Sequence, residues 1–365
     1  MSGLLIPAAE GHLRRQRVEE FWREFKSDSG RPKFVFGCNV YARSILQACS
    51  VDGVVDDFSP EASFCGRQII KTADIPKDAL VLVASGGRPL TVRRKLQELG
   101  IEQLDYFSLQ KWSGAPLKDI VFNEGFCTEY AANEAQYQWV YDRLSDEVSR
   151  RSFRQLVSFR FNGDLDVMQE FSDRQRDQYF EDFLGLQSSS EVFVDVGGFD
   201  GSTTLEFISR CPGYRAVYVF EPDPGNFLAC ERRLKGRPNI HLLQIGAGNV
   251  RGKVSFSASG STSGIAADGG LTIEVARLDD MVPVRPTFIK MDIEGAELAA
   301  ISGAARIIRE HRPRMALCVY HKPGDFWRIP KQVLGIDPRF DIYLRHYTES
   351  IYETVMFFMP RKLAG

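Results

Sequence analysis

The chain has 365 residues, more than one average domain and enough for roughly two or three. It is 44% hydrophobic and 26% charged, as expected of a globular protein with sizeable cores. Its 46 Lys and Arg against 48 Asp and Glu give a net charge of −2, which offers no general reason to expect nucleic-acid binding. Seven scattered cysteines without a CxxC pair suggest reduced thiols rather than a disulfide framework. The opening MSGLLIPAAEGHLRRQRVEEF lacks the basic start, apolar run and cleavage site of a secretory signal. The apolar runs ALVLVA and MALCVY are strand-length, so no transmembrane segment is expected and a cytoplasmic location is.

In chain order, residues 1–30 carry a charged N-terminal helix that SDSGRP ends. Residues 31–115 alternate strand and helix: KFVFG, NVYARSILQACS, VDGVVDDF, ALVLVASGG, LTVRRKLQELG, IEQLDYF. This pattern predicts a smaller Rossmann-like α/β domain with a mostly parallel sheet. Gly37, Asn39 and Ala42 stand where a dinucleotide fingerprint has its three glycines, and Asp56 and Asp57 follow at about the right interval. The fingerprint is incomplete, so a degenerate scaffold fits as well as a nucleotide site; SGGRP (85–89) suits either an anion or a plain loop. Residues 116–186 read as a helical connector. Alternation resumes over residues 187–365 with EVFVDVGG, STTLEFISR, YRAVYVFEPD, NFLACERRLK, NIHLLQIGAG, TFIKMDIEG, ELAAISGAARIIREH and RMALCVYH. A hairpin insertion is expected over 251–275, and FDIYLRHYT and YETVMFFMP close the chain as an antiparallel pair. The overall expectation is an α/β protein whose larger domain is a doubly wound sheet.

VFVDVGGFDGSTT concentrates the functional signal. Gly197, Gly198 and Gly201 lie where a buried strand feeds a helix, so a ligand can approach the backbone and the helix N–H groups closely. Asp195 and Asp200 at the same turn would repel a pyrophosphate and favour a ligand with a positive centre. Glu221, 20 residues past Gly201 at the next strand's tip, is placed to accept hydrogen bonds from two ribose hydroxyls. Loop capping for Asp195 and a surface ion pair for Glu221 are the structural alternatives.

VDVGGFDGSTT, then FEPDPGN, IGAGN and IKMDIEGAE, together resemble the FkbM family of S-adenosylmethionine-dependent O-methyltransferases over roughly residues 170–360. The resemblance implies a class I methyltransferase-like sheet with S-adenosyl-L-methionine as cofactor. It implies that Asp195, Gly197 and Gly201 line the methionine side, with Gly198 where the family often has alanine. It further implies that Glu221 holds the ribose, that Pro222 and Asp223 shape its loop, and that Gly246 and Ala247 lie near the adenine. The ending YHKPGDFWRIP with LRHYTESIYETVMFF is similar to a branch whose inferred substrates are often sugars, so a small-molecule or glycan acceptor is implied.

Methyl transfer to a hydroxyl needs an in-line approach and help in removing the proton. His321, directly after a strand, is the favoured general base. Asp292 would orient it or contact substrate, although both residues also suit structural roles. Glu294 is a candidate substrate contact, and Glu297 reads more simply as a charge in a helix's first turn. Gln178 and Tyr179 in RDQYFED could face the cofactor, and Trp327 could stack on a sugar; both segments equally suit a core. No ligand cluster with a recognisable spacing appears, so no metal ligands are assigned. A divalent cation that acidifies the hydroxyl is compatible with the acidic residues but not expected. The rival readings are an NAD(P)-dependent sugar oxidoreductase or epimerase, and a non-catalytic scaffold that retains the cofactor fold.

Overall fold

The computed structural model describes residues 11–257, 264–265 and 270–361. The backbone forms two units, and neither is one run of chain. The first comprises Met1–Ala132, Arg151–Gln175 and His346–Tyr352; the second comprises Asn133–Arg150, Arg176–Arg345 and Glu353–Gly365. Residues expected as one helical connector are therefore divided between them. The helix Phe126–Tyr141 breaks its helical backbone at Asn133, with φ −131° and ψ 19°, and the helix Glu147–Asn162 runs through the second boundary. Beyond it, Gly163 takes φ +65°, and a Cβ there would lie 2.9 Å from the Phe107 carbonyl oxygen. The chain then continues in short 3-10 turns (Leu165–Met168, Gln175–Asp177, Asp182–Leu184) rather than the expected helix.

The first unit holds β1 (Lys33–Phe36), β2 (Gly53–Val55), β3 (Ser63–Phe64), β4 (Arg67–Ile70), β5 (Leu80–Val83) and β6 (Glu102–Asp105) in the order β3-β4-β2-β1-β5-β6. All pairings are parallel except β3 with β4. Short apolar strands such as LVLV are buried on both faces, as a covered parallel sheet requires. Phe34, Val55, Val81 and Val83 pack with Val92 and Leu96 of the helix Pro89–Glu98. The β3–β4 hairpin was not expected: its strands are short and polar, and Cys65 and Gly66 turn it with positive φ.

The second unit holds β7 (Val192–Val196), β8 (Ala216–Phe220), β9 (Ile240–Leu243), β10 (Gly246–Ala247), β11 (Gly252–Ser257), β12 (Gly264–Ile265), β13 (Leu271–Ala276), β14 (Phe288–Met291), β15 (Arg314–Cys318), β16 (Phe340–His346) and β17 (Thr354–Pro360). Seven of these form a sheet in the order β16-β17-β15-β14-β7-β8-β9. From β9 through β15 the pairing is parallel, and β17 lies antiparallel to β15. Phe193 of β7 stacks against Phe207 at 4.4 Å and against Phe288 of β14 at 5.2 Å between centroids, which anchors the sheet centre. The chain leaves β7 outward through β8 and β9, then returns to β14 on β7's other side. The crevice outside the carboxyl ends of β7 and β14 is thus the topological switch point, where open α/β sheets bind ligands. A smaller sheet, β10-β13-β11-β12, contains the expected hairpin as β11 paired antiparallel with β13; residues 258–263 and 266–269 of that insertion lie outside the described residues. No described helix is long and apolar enough to cross a membrane.

Candidate active site

At the end of β7 the chain turns through Gly197 and Gly201, both with positive φ, into the helix Ser202–Arg210. Two glycines are enforced by close packing. A Cβ on Gly197 would lie 2.0 Å from the Asp292 carbonyl oxygen, and one on Gly198 would lie 2.3 Å from Val219 Cγ1. The β7 and β14 turns therefore touch through backbone, which no side chain would permit. Gly201 is the helix N-cap and offers no side chain; Asp200 Oδ1 takes the Ser202 N–H at 3.0 Å.

Asp195 is fully buried. Lys290 Nζ of β14 lies 3.1 Å from its Oδ1, and Thr204 Oγ1 donates to its Oδ2 at 2.7 Å. Lys290 Nζ also donates to the Gly197 carbonyl at 2.5 Å. Burial disfavours the lysine's charge, yet the Asp195 and Asp292 carboxylates raise its pKa above the ordinary value. Asp200 pairs with Arg233 at 2.6 Å. The negative charge that the sequence places on this turn is thus balanced by the protein's own cations, two partners that lie far along the chain.

Glu221, at the end of β8, is buried and accepts the Phe199 N–H at 2.8 Å through Oε2 and the Asp223 N–H at 2.9 Å through Oε1. Each oxygen keeps a second lone pair for a further donor. Burial pushes its pKa up to about 7 against the two backbone bonds that lower it. Pro222 is half-buried, and Asp223 caps the helix Pro224–Leu234 through the Gly225 and Asn226 N–H groups. Gly246 and Ala247 are buried in β10, paired with Val275 and Ala276.

The groups proposed for chemistry converge beyond β14 and β15. His321 is buried with Nδ1 2.9 Å from Glu297 Oε1 and Nε2 3.2 Å from Asp292 Oδ1. Burial alone would lower its pKa, but Glu297 and Asp292 raise it well above the ordinary histidine value. Asp292 Oδ2 accepts the Tyr179 hydroxyl at 2.6 Å. Burial works against the Asp292 charge, while His321, Lys290 and Tyr179 pull its pKa below the usual carboxylate range. Gln178 Nε2 donates to Tyr179 Oη at 2.7 Å and to Glu353 Oε2 at 2.5 Å, and Tyr320 Oη reaches Glu353 Oε2 at 3.4 Å. Burial and neighbouring carboxylates push Glu294 and Glu353 up to about 7 each. Tyr179, Glu294 and Glu353 all adopt positive φ, a strained backbone of the kind that collects at functional sites.

Gln178, Tyr179, Asp292, Glu294 and His321 are thus brought together. Trp327 instead stands half-buried on the helix Asp325–Ile336, with Arg328 and Lys331 over its ring. Glu297 does more than sit in a helix's first turn: its Oε1 accepts the Ile293 N–H at 3.0 Å and meets His321. Glu353 and Lys290 were given no role in the sequence reading. Lys290 stands inside IKMDIEGAE on β14, two residues before Asp292, which directly follows the strand; that spacing turns both side chains to one side. Nothing in the local sequence around Glu353 marks it.

This strand order, with a glycine turn after the first strand and an acidic residue after the second, is a class I methyltransferase fold. Residues 195–347 match the methyltransferase FkbM domain. Methyltransferase FkbM from Methylobacillus flagellatus KT, a crystal structure, superposes with a TM-score of 0.72 at 25% identity, covering 97% of this chain and 94% of that one. The chain thus carries a methyltransferase FkbM domain over residues 195–347 and is an S-adenosylmethionine-dependent methyltransferase. An rRNA methylase from Streptococcus thermophilus matches at 17% identity and TM-score 0.34, over 50% of this chain and 93% of that one. Aeropyrum pernix fibrillarin with natively bound S-adenosyl-L-methionine matches at 13% identity and TM-score 0.33, over 48% and 69%. No curated protein sequence matches the chain.

Proposed function

We propose that the protein methylates a hydroxyl of a sugar or glycosylated metabolite, with the Asp292–His321 edge receiving that hydroxyl. The observation that carries this reading is the backbone contact between the Gly197 turn and Asp292: it joins a cofactor cradle to a histidine–carboxylate pair across the switch point. On the cradle side, Gly197, Gly198 and Gly201 admit the methionine portion, and the glycine-capped helix start suits its carboxylate. Asp195 and Asp200 fix the turn, and Glu221 takes the ribose hydroxyls on the lone pairs left by Phe199 and Asp223. Pro222 and Asp223 hold that loop, and Gly246 and Ala247 line the adenine end. When bound, S-adenosyl-L-methionine supplies a methyl carbon on a sulfonium: the acceptor oxygen's electron pair forms the new O–C bond as the C–S pair returns to sulfur. In the simplest form His321, once neutral, takes the acceptor's proton through Nε2 while Glu297 holds Nδ1. Gln178, Tyr179, Glu294 and Glu353 offer the dense hydrogen-bonding that a polyhydroxyl acceptor matches.

Isothermal titration with S-adenosyl-L-methionine, S-adenosylhomocysteine and NAD tests the cofactor half, with micromolar binding of the first two expected and none of NAD. A panel of free sugars and glycosides, read by S-adenosylhomocysteine release, tests the acceptor. His321→Gln is expected to lose at least about 100-fold in kcat with cofactor affinity within about twofold of wild type. Full transfer by that variant would overturn the base, and turnover of non-sugar alcohols alone would overturn the acceptor class.

A further inference from the structure

Three donor atoms from two loops stand around one point. One donor atom from each of Asp292, Glu294 and His321 lies within 4.8 Å of the other two. Nε2 is 3.2 Å from the Asp292 oxygen and 3.8 Å from the Glu294 oxygen. Bonds of about 2.0–2.2 Å to a shared ion put adjacent donors about 3–3.5 Å apart and opposed donors about 4 Å apart. The remaining atoms of two of these side chains are tied to groups outside the trio. Tyr179 holds Asp292 Oδ2 at 2.6 Å, and Glu297 holds His321 Nδ1 at 2.9 Å. An outer carboxylate on a histidine's far nitrogen is the arrangement that turns the other nitrogen toward a metal.

Local charge is an independent observation. Asp292, Glu294, Glu297 and Glu353 surround His321, while Lys290 is committed to Asp195 and Gly197. Glu297, 1% exposed, leaves Oε2 without a hydrogen-bond partner. Asp292 and Glu294 are only partly enclosed, with side chains 22% and 15% exposed, yet carboxylates crowded in excess of nearby cations are costly unless an ion joins them.

We propose that Asp292, Glu294 and His321 bind one divalent cation of the Mg2+ or Mn2+ type, which receives the acceptor hydroxyl. This rests on the reading that the same edge holds the acceptor. Two carboxylate oxygens and one imidazole leave coordination positions open for water and substrate oxygen. A cation there lowers the pKa of a hydroxyl that coordinates it, so the proton leaves to solvent water. His321 then serves as a ligand rather than as the proton acceptor.

The test uses the full-length protein, dialysed against a chelator and titrated with Mn2+ by calorimetry and by loss of the free-ion electron paramagnetic resonance signal. One site per chain is expected, weakened at least tenfold in Glu294→Gln and in His321→Gln. Cofactor titration of each variant shows whether it is folded. If a variant fails to fold, spin-echo modulation on wild-type protein decides: bound Mn2+ must show the 14N coupling of one imidazole. Absence of Mn2+ binding, binding unchanged in both folded variants, or bound Mn2+ without nitrogen coupling would overturn the site. The two readings fail separately. Methyl transfer that persists in chelator sinks the cation and leaves His321 as base, whereas loss of cofactor binding sinks the methyltransferase chemistry whatever Mn2+ does.

Discussion

Each α/β unit runs a central buried strand into a glycine turn and then a helix, and the two turns are filled differently. In the first unit Gly37 takes φ +107°, and Asn39 caps the following helix Val40–Ala48. Asn39 Oδ1 accepts the Tyr41 and Ala42 N–H groups at 2.9 and 3.0 Å, and its Nδ2 donates to the Ala84 carbonyl at 2.8 Å. The donors that would hold a phosphate are taken by the protein itself, and β1 and β5 are bridged across their switch point. The next helix start in that unit is treated likewise: buried Glu349 accepts the Thr91 N–H at 2.7 Å, an internal carboxylate where SGGRP invited an anion. The acidic pair is also committed. Asp57 binds Thr72 and Lys95, which hold its pKa down at about 2 against burial, and Asp56 accepts Phe58 and Ser59 N–H groups. In the second unit the helix after the turn is capped by a glycine, and the acidic residue after the next strand keeps lone pairs to spare. The lesson is that a Rossmann-like turn becomes a ligand site by what it leaves unfilled.

The largest difference is expected in backbone tolerance. Gly197 and Gly37 both have positive φ, but a Cβ on Gly37 would meet its nearest atom, Asn39 Nδ2, at 3.6 Å, ordinary contact. Gly37→Ala should therefore cost only conformational strain, about 1–2 kcal/mol. Gly197→Ala adds a collision with backbone at 2.0 Å, which no rotamer relieves, and should cost roughly 3 kcal/mol or more. Denaturant unfolding of both variants measures this directly. Equal losses would mean that the β7 and β14 turns do not make the close approach on which the proposed site depends.

The sequence was most legible where backbone geometry and chemistry coincide. Gly197, Gly198 and Gly201 are needed both to pack the turn and to admit a ligand, so their pattern stands out from periodicity alone. The parallel strands were readable because covered strands are short apolar runs, VFVDV and FIKM among them. What was not legible is partnership across distance. Asp195 reads as a free negative charge until Lys290, 95 residues on, is seen beside it. Asp292, Glu294 and His321 show no metal-like spacing because they come from loops after two different strands, and only the β14–β15 pairing sets their side chains together. Asn39 invites a nucleotide reading by its position and closes the turn by its side chain.

A second contrast concerns the acidic residues at the strand tips. Glu221→Ala should weaken S-adenosyl-L-methionine binding about 30-fold, the loss of roughly 2 kcal/mol of charge-assisted hydrogen bonding. Asp57→Ala in the first unit should leave that affinity unchanged. The pH dependence sharpens the point. Glu221's folded pKa, near 7, lies above its unfolded value, so its contribution to stability is full below the unfolded pKa and is lost as pH rises through 7. Ribose hydroxyls that donate to the carboxylate favour its charged form, so binding should expel a proton near neutrality. Affinity should fall about tenfold from pH 7.5 to pH 6, a change that Glu221→Gln abolishes. Calorimetry in buffers of different ionisation enthalpy reads the proton. An affinity flat across that range in the wild type would show that Glu221 is not the ribose ligand.

The smallest effect probes the filled turn. Asn39→Ala removes two N-cap hydrogen bonds and should cost about 1 kcal/mol, within the range for losing an N-cap side chain. Asn39→Gly keeps a tolerated cap residue and should cost less, although the bond to Ala84 is lost in both. Neither variant touches the groups proposed for the cofactor, so S-adenosyl-L-methionine affinity should stay within twofold. Removing the side chain also frees the Tyr41 and Ala42 N–H groups at a helix start, where an anion is favoured by about 0.3–1 kcal/mol. Thermal shift of Asn39→Gly with pyrophosphate should therefore exceed that of the wild type. If the wild type is itself stabilised by pyrophosphate and the variant gains nothing, Asn39 does not close the turn, and the first unit has a ligand site after all.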